Sequence, residues 1–425
     1  MRRNFIIIAG ILVVGIVGYL LLRQFSGSGV SQNTGTQGQY GSLPSTGAFA
    51  GSGQNGGSQG ASAGQATQGS SQNALLTVVD ASPVLAYFPT ASGTVLAVRP
   101  DGSVVTFANG GVSVLSTSSM SNVSDAVFSH DGRKVVVMSG YSQSMKASVF
   151  DTVLRTWTQL PLGISSPSWS PTDYRFAYLR DNGDGSASLM TWDAGKAKSS
   201  PVTLATLYVQ DMGVQWVSPG TIILLSRPSA YANGSILSFD TLQRTIAPVI
   251  ISRPGLDAIW STSPFEGLAF SAAQASRGGH LQLVDGAGAV LQNLTFITFP
   301  SKCTFAQAMM AASSSPSTAT SSVKASTSAA ALIKAAPYVF YTALYCGVPR
   351  DQNTLAYYPL PDAYNERQIS TMDDIYRINI SNGHIDPILV GSPQGFDVSD
   401  VRVAGNKIFF INRYDSKLYS VVASQ

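Results

Sequence analysis

Five segments of this chain carry an aromatic residue at nearly constant spacing: Phe128, Trp169, Trp216, Trp260 and Phe305, separated by 41, 47, 44 and 45 residues. Repeating text surrounds the first four, and a fifth copy of it lies near the carboxyl end. DAVFSHDGRKVVVMS from Asp125, SPSWSPTDYRFAYLR from Ser166, GVQWVSPGTIILLSR from Gly213, DAIWSTSPFEGLAFS from Asp257 and SDVRVAGNKIFFINR from Ser399 each read as strand, polar turn, apolar strand. A second hairpin follows in most units, as in Ala147 to Pro161 and Gly234 to Val249. Four short strands cannot bury both faces of their own sheet, so units recurring every ~40–45 residues have to stack on one another. The expected fold is therefore all-β, a β-propeller of four-stranded blades. Counting Pro83–Ser118 as the first blade and Phe396–Gln425 as the last gives seven, though six or eight also suit the spacing. The last unit shows only three strand-like runs, and Ala74–Val79 is expected to supply the fourth and close the ring. Trp169, Trp216 and Trp260 sit at equivalent positions and are read as packing residues, not a ligand cage.

Ahead of this array lies a different kind of sequence. Phe5–Leu22 is an uncharged apolar run of 18 residues, preceded by Arg2 and Arg3. As a helix it spans roughly 27 Å, enough to cross a bilayer. The flanking charges favour a cytoplasmic amino terminus (residues 1–4) and an exported remainder. A cleaved signal peptide is the competing reading, disfavoured because Arg23-Gln24-Phe25 stands where small residues should precede cleavage. Residues 23–73 are rich in Gly, Ser and Gln, and no charge occurs from Gln24 to Val79. Such a tract cannot offset its ordering entropy by burial, so a flexible linker is expected between the transmembrane helix at 5–22 and a propeller domain at 74–425. Gly60-Ala61-Ser62-Ala63-Gly64 fits G-x-S-x-G but lacks the strand and helix that give that motif meaning.

Charge narrows the partners. Twenty-six Lys and Arg against 23 Asp and Glu leave a net charge of +3, with no long basic run, which argues against nucleic acid. Three His and two Cys, dispersed along the chain, do not suggest a metal centre or cofactor site. Asp181-Asn182-Gly183-Asp184-Gly185 is read as a β-turn in the third blade, with calcium the lesser alternative. No catalytic, cofactor or metal residue is assigned.

Phe128-Ser129-His130-Asp131-Gly132-Arg133-Lys134 before VVVMS resembles the TolB-like propeller repeat, F-S-P-D-G-K before an apolar strand, with His130 in place of the usual Pro. Trp169-Ser170-Pro171-Thr172-Asp173 is a looser match. The arrangement as a whole is similar to uncharacterised single-pass proteins of small-genome bacteria, in which Lys-Cys and Tyr-Cys-x-Val-Pro segments stand where Lys302-Cys303 and Tyr345-Cys346-Gly347-Val348-Pro349 stand here. The resemblance implies a propeller working in envelope protein–protein interaction.

Cys303 and Cys346 are placed at the ends of neighbouring strands of the sixth blade, where an exported domain could oxidise them to a disulfide; two buried thiols are the alternative. Between them, 309–336 is low-complexity and reads as a disordered loop, or else a short Ala-rich helix. A second insertion, Asp351–Met372, holds Tyr357, Tyr358 and Tyr364 around two prolines, either a packed loop over the blade or a partner-binding patch. The function expected is a membrane-anchored extracytoplasmic binding or scaffold module, monomeric, for a protein, peptide or envelope polymer. The alternative is an exported propeller enzyme of hydrolase, lyase or quinoprotein type with an axial active site.

Overall fold

The computed structural model describes residues 76–423 except 109, 117–119, 142–143, 210, 263–264, 274–276 and 312–337. The expected anchor at 5–22 and linker at 23–73 lie outside the described residues, as does nearly all of the insertion. No helix among the described residues is long and apolar enough to cross a membrane.

Seven four-stranded antiparallel sheets make up the described chain. Strand β1 (Leu76–Asp80) precedes blade 1, which is β2 (Ala86–Pro89), β3 (Val95–Val98), β4 (Val104–Ala108) and β5 (Gly111–Ser116). Blade 2 is β6 (Val123–Phe128), β7 (Lys134–Ser139), β8 (Lys146–Asp151) and β9 (Thr156–Gln159). Blade 3 is β10 (Ser165–Trp169), β11 (Arg175–Asp181), β12 (Ala187–Asp193) and β13 (Val202–Leu207). Blade 4 is β14 (Met212–Ser218), β15 (Thr221–Ser226), β16 (Asn233–Asp240) and β17 (Thr245–Pro254). Blade 5 is β18 (Asp257–Trp260), β19 (Glu266–Ala272), β20 (Gly279–Asp285) and β21 (Val290–Leu294). Blade 6 is β22 (Cys303–Ala311), β23 (Tyr338–Pro349), β24 (Asp373–Asn379) and β25 (Ile385–Leu389). Blade 7 is β26 (Val398–Ala404), β27 (Lys407–Asn412) and β28 (Lys417–Val422), and β1 completes it by pairing with β28. The expected seven blades and closure by the two chain ends are both observed.

First strands contact the first strands of neighbouring blades, so they surround the axis. We call the face where they begin the upper face and the face where they end the lower face. Every interface between successive sheets has its own apolar core. Val136, Phe176 and Met190 join blades 2 and 3; Leu179, Trp216 and Ile222 join blades 3 and 4. Tyr87 and Val95 pack on Phe409 and Leu418, so the junction of blades 7 and 1 is built like the others. Trp169, Trp216 and Trp260 are all buried in these cores, as their spacing predicts. The Trp169 indole N–H also donates to the Val127 carbonyl at 2.7 Å, tying blade 3 to blade 2 at the axis.

Blade 6 departs from the sequence reading at its boundaries. Cys303 begins β22 and does not end it, and Phe305 lies near the start of the strand. Pairing continues through Met309↔Phe340 to Ala311↔Tyr338, past the residues expected to open the insertion. The reason is that Tyr338–Thr342 extends the β-prone run of β23 backwards, giving Gln307–Ala311 a partner. Because β24 reaches only as far as Ala343, this extra hairpin projects beyond the blade at the lower face. Cys303 and Cys346 are directly opposed in the register and form a disulfide.

Closure rests on more than the ladder. At the upper end of β1, Asp80, 5% exposed, accepts from the Arg99 guanidinium at 3.0 Å, linking blade 7 to blade 1. We expect Asp80→Ala to lower unfolding free energy by about 1–3 kcal/mol, read as a shift of the urea midpoint with an unchanged m-value; no shift would mean that this pair does not help hold the ring shut.

Candidate functional site

The upper face carries the one insertion that is fully described. Asp351–Met372 leaves β23 with a short helix α1 (Gln352–Leu355), capped by the Asp351 carboxylate accepting from the Thr354 N–H at 3.0 Å, and continues to α2 (Asp362–Asn365). The Tyr358 carbonyl accepts from the Gly278 N–H of blade 5 at 3.0 Å, and the Asp362 carboxylate accepts from the Ala230 N–H of blade 4. The Tyr364 carbonyl accepts from the Arg413 guanidinium of blade 7 at 2.9 Å. A segment rooted in blade 6 that bonds to blades 4, 5 and 7 has to lie across the upper face.

Of the three tyrosines picked out as partner contacts, only Tyr357 is open, at 72% exposure. Tyr358 is half-buried against the core of blades 5 and 6. Tyr364 corrects the expectation. It is 2% exposed, stacked on Phe299 with ring centroids 4.3 Å apart, and has the Arg413 guanidinium carbon 3.8 Å and the Lys302 nitrogen 4.6 Å from its ring centre. Two cations over one electron-rich ring, with a desolvated stack on the other side, make it a structural anchor and remove it from the surface.

Beneath Tyr364 is a buried ionic cluster that no sequence spacing announced. Lys302 is 0% exposed and donates to Thr371 Oγ1 at 2.7 Å, to Asp397 Oδ1 at 2.7 Å and to Asp373 Oδ2. Three donors meet three acceptors. The Tyr364 hydroxyl donates to Asp397 Oδ1 at 2.9 Å, and the Val398 N–H donates to Asp373 at 2.7 Å. Burial works against the Lys302 ammonium, but Asp373, Tyr364 and Asp397 outweigh it and hold its pKa above the ordinary lysine value. Burial pushes the Asp373 carboxyl up, with Lys302 opposing, and pushes the Tyr364 phenol up to about 12. Lys302, Asp373 and Asp397 are nearly inaccessible, so the cluster fastens the insertion and blade 7 to blade 6 and does not present reactive groups.

Open volume lies on the axis. A cavity of about 290 Å³ is bounded by Trp260, Ser261 and Thr262 of blade 5, Thr304 of blade 6, and Asp400 and Arg402 of blade 7, among others. Blades 5 and 7 are not neighbours, so a space that touches both sits on the axis. Arg402 Nε donates to Asp400 Oδ1 at 3.2 Å. A second cavity of about 390 Å³ lies under the insertion, lined by Ser301, Tyr364, Arg367, Asp400 and Arg413 with others, and Asp400 borders both spaces. Two further carboxyls stand on first strands. Enclosure raises the pKa of Asp125, with Asp400 adding to the shift, and raises that of half-buried Asp257 to about 6. Among the described residues no three His, Cys, Asp or Glu side chains gather closely enough to hold a metal ion. Asp181 and Asp184 serve the turn between β11 and β12, accepting from the Gly183 N–H at 2.8 Å and the Ser186 N–H at 2.9 Å.

No known family model matches the sequence. No curated protein matches it either. Among solved structures, the chain is similar to an oligogalacturonate lyase in complex with manganese, with TM-score 0.51 and 11% identity over 84% of this chain and 95% of that one. It is also similar to TolB from Acinetobacter baumannii, with TM-score 0.37 and 15% identity over 49% of this chain. The match spans about half of that TolB chain, 53% of its length. A third similarity is to the β-propeller domain of the Trilobed protease from Pyrococcus furiosus, with TM-score 0.40 and 11% identity over 68% of this chain and 76% of that one. At such identities the likeness bears on the fold alone. The class is an all-β propeller of seven four-stranded blades.

Two measurements test the electrostatics. Lys302→Met leaves two buried carboxylates without their cation and should lower stability by about 3–5 kcal/mol, whereas the triple variant Lys302→Met, Asp373→Asn, Asp397→Asn should recover part of that loss in the same urea titration. A carboxyl whose folded pKa is raised binds its proton more tightly when folded, so Asp257 lowers stability as pH rises from about 4 to about 6. Asp257→Asn should therefore raise the melting temperature at pH well above that window and leave it nearly unchanged below it; equal effects on both sides would refute the shifted pKa.

Proposed function

We propose that this chain is a membrane-anchored binding module whose propeller works outside the cytoplasm and receives an extended peptide or envelope polymer along its axis. The observation that supports this most is the lining of the axial cavity. Hydroxyls of Ser261, Thr262 and Thr304, the apolar surface of Ile259, Trp260 and Phe305, and the paired Asp400 and Arg402 line it together. Such a surface offers hydrogen bonds and apolar contact to a neutral or zwitterionic segment. Ile259, Trp260, Thr304, Phe305, Asp400 and Arg402 stand on first strands, which hold them rigidly, and Ser261 and Thr262 follow β18 directly. The insertion above the axis, with exposed Tyr357, is the second contact surface in this reading. The resemblance of Phe128–Lys134 to the TolB-like repeat agrees with an envelope role by analogy.

One observation favours the enzyme reading: the Asp257 carboxyl, pushed up to about 6, has the proton affinity of a general acid or base near neutral pH. It stands second because burial alone raises that carboxyl, with no charged neighbour contributing to the shift.

Photo-crosslinking decides between these. With p-benzoylphenylalanine at Phe305, Tyr357 or, as a remote control, Val112, the full chain irradiated in its own cells should give a discrete adduct from Phe305 or Tyr357 and none from Val112. The same adducts from all three positions, or none from any, would overturn binding at the axis and upper face.

A further inference from the structure

The lower face shows a repeated device. Between β8 and β9 of blade 2 the chain reads Asp151-Thr152-Val153-Leu154-Arg155, and between β16 and β17 of blade 4 it reads Asp240-Thr241-Leu242-Gln243-Arg244. Both turns are wired alike. Asp151 Oδ1 accepts from the N–H groups of Val153 and Leu154 at 3.0 and 2.8 Å, and Asp240 Oδ1 accepts from those of Leu242 and Gln243, each at 2.8 Å. The threonine hydroxyls donate to carbonyls of the preceding hairpin, Thr152 to Arg133 at 3.1 Å and Thr241 to Pro219 at 2.9 Å. Arg155 and Arg244 close the turns with φ of 57° and 56°. These rigid tips hold aliphatic side chains out in solvent: Val153 is 59% exposed, Leu154 71% and Leu242 87%.

The corresponding connection of blade 3, between the two, is cationic, with Lys196 and Lys198. Beside it a cavity of about 490 Å³ opens between blades 2 and 3, lined by Lys134, Asp151, Leu154, Trp192, Lys196 and Lys198 with others. Lys134 is paired with Asp151 at 2.7 Å and Lys196 with Asp193 at 2.9 Å, while no ion pair among the described residues engages Lys198. Apolar tips flanking a cationic hollow are the pattern of a surface that rests on an anionic membrane: aliphatics enter the acyl boundary and lysines meet phosphates. The position of β1 supports the same occupant. Leu76 pairs with Val421 at the lower end of β28, so the described chain enters the propeller at this face, with 75 residues preceding it in the sequence.

We propose that the lower face of blades 2 to 4 docks on an anionic phospholipid bilayer, with a lipid headgroup phosphate in the cavity among Lys134, Lys196 and Lys198 and with Val153, Leu154 and Leu242 in the interface. This rests on the membrane-anchored reading above, and the test separates the two. Cys303 and Cys346 are joined, so Leu242→Cys or Tyr357→Cys gives the full chain a single free thiol for a fluorescent label. Each labelled chain is reconstituted with vesicles of phosphatidylcholine alone or mixed with phosphatidylglycerol. Flotation with the neutral vesicles reports the anchor; quenching of the label by aqueous acrylamide reports the docked face.

The label at 242 should be several-fold less quenched than the label at 357 in the mixed vesicles only, and Lys196→Glu with Lys198→Glu should abolish the difference. Those charge reversals should also weaken binding to mixed vesicles about tenfold or more wherever the anchor does not mask it. Flotation with mixed but not neutral vesicles would remove the anchor and leave the docking site standing. Equal quenching at 242 and 357 in mixed vesicles overturns the proposal, as does equal protection in both vesicle types, which would leave no role for the phosphate. Protection by oligoglutamate and not by mixed vesicles would overturn it in favour of an acidic protein partner.

Discussion

The propeller depends on closing its ring. Every core in this protein is shared between two sheets, so no blade owns a complete apolar interior. Opening the ring at blade 7 would therefore expose a face on each side of the gap. Strand β1 prevents this by covering β28 and by sending Asp80 to Arg99 of blade 1. The side chains of blade 1 then pack on Phe409 and Leu418 as though the chain were continuous there. Stability is in this sense circular, and the closing strand holds together junctions it does not touch.

Asymmetry enters at blade 6, and it is electrostatic. A desolvated lysine is tolerated because its three protons meet Thr371, Asp373 and Asp397, which come from the end of the insertion and from blades 6 and 7. The cluster thus converts a long polar segment into a fixed roof over part of the upper face. Tyr364 completes it by giving Lys302 and Arg413 a common ring to sit on. The axial cavity is lined by the hydroxyls of Ser261, Thr262 and Thr304 together with Trp260, Phe305, Asp400 and Arg402.

Much of the fold was legible in the sequence because the period of a repeat survives its degeneracy. Phe128, Trp169, Trp216 and Trp260 marked the first strands, and the missing fourth strand of the last unit pointed back to the start of the array. The disulfide was legible for the same reason, since adjacent strands in one blade bring Cys303 and Cys346 together. The candidate site was not. Lys302, Asp373 and Asp397 are up to 95 residues apart, and no local pattern links them. One hint was the cost of charge itself: Lys302 directly precedes β22 and Asp373 begins β24 in a chain with 12% charged residues. Tyr364 misled because an aromatic close to prolines looks alike whether it faces solvent or a buried cation. What decides is Phe299 and Arg413, remote in sequence. Strand ends in blade 6 were misplaced because composition changes at the Ser-rich segment, whereas pairing follows whatever β-prone residues lie opposite each other.

The position of β1 also has a mechanical side. Its ladder bonds to β28 run across the strand direction, and the chain enters at the lower end of the strand, opposite Val421. A pull on the chain along the direction of β1 therefore loads those bonds together, in shear, and does not peel them off one at a time. The Asp80 and Arg99 pair sits at the far end of the strand, where it bears on blade 1 as well. A tension applied at the amino-terminal side is thus shared between the last blade and the first, across the very junction that an open ring would lose.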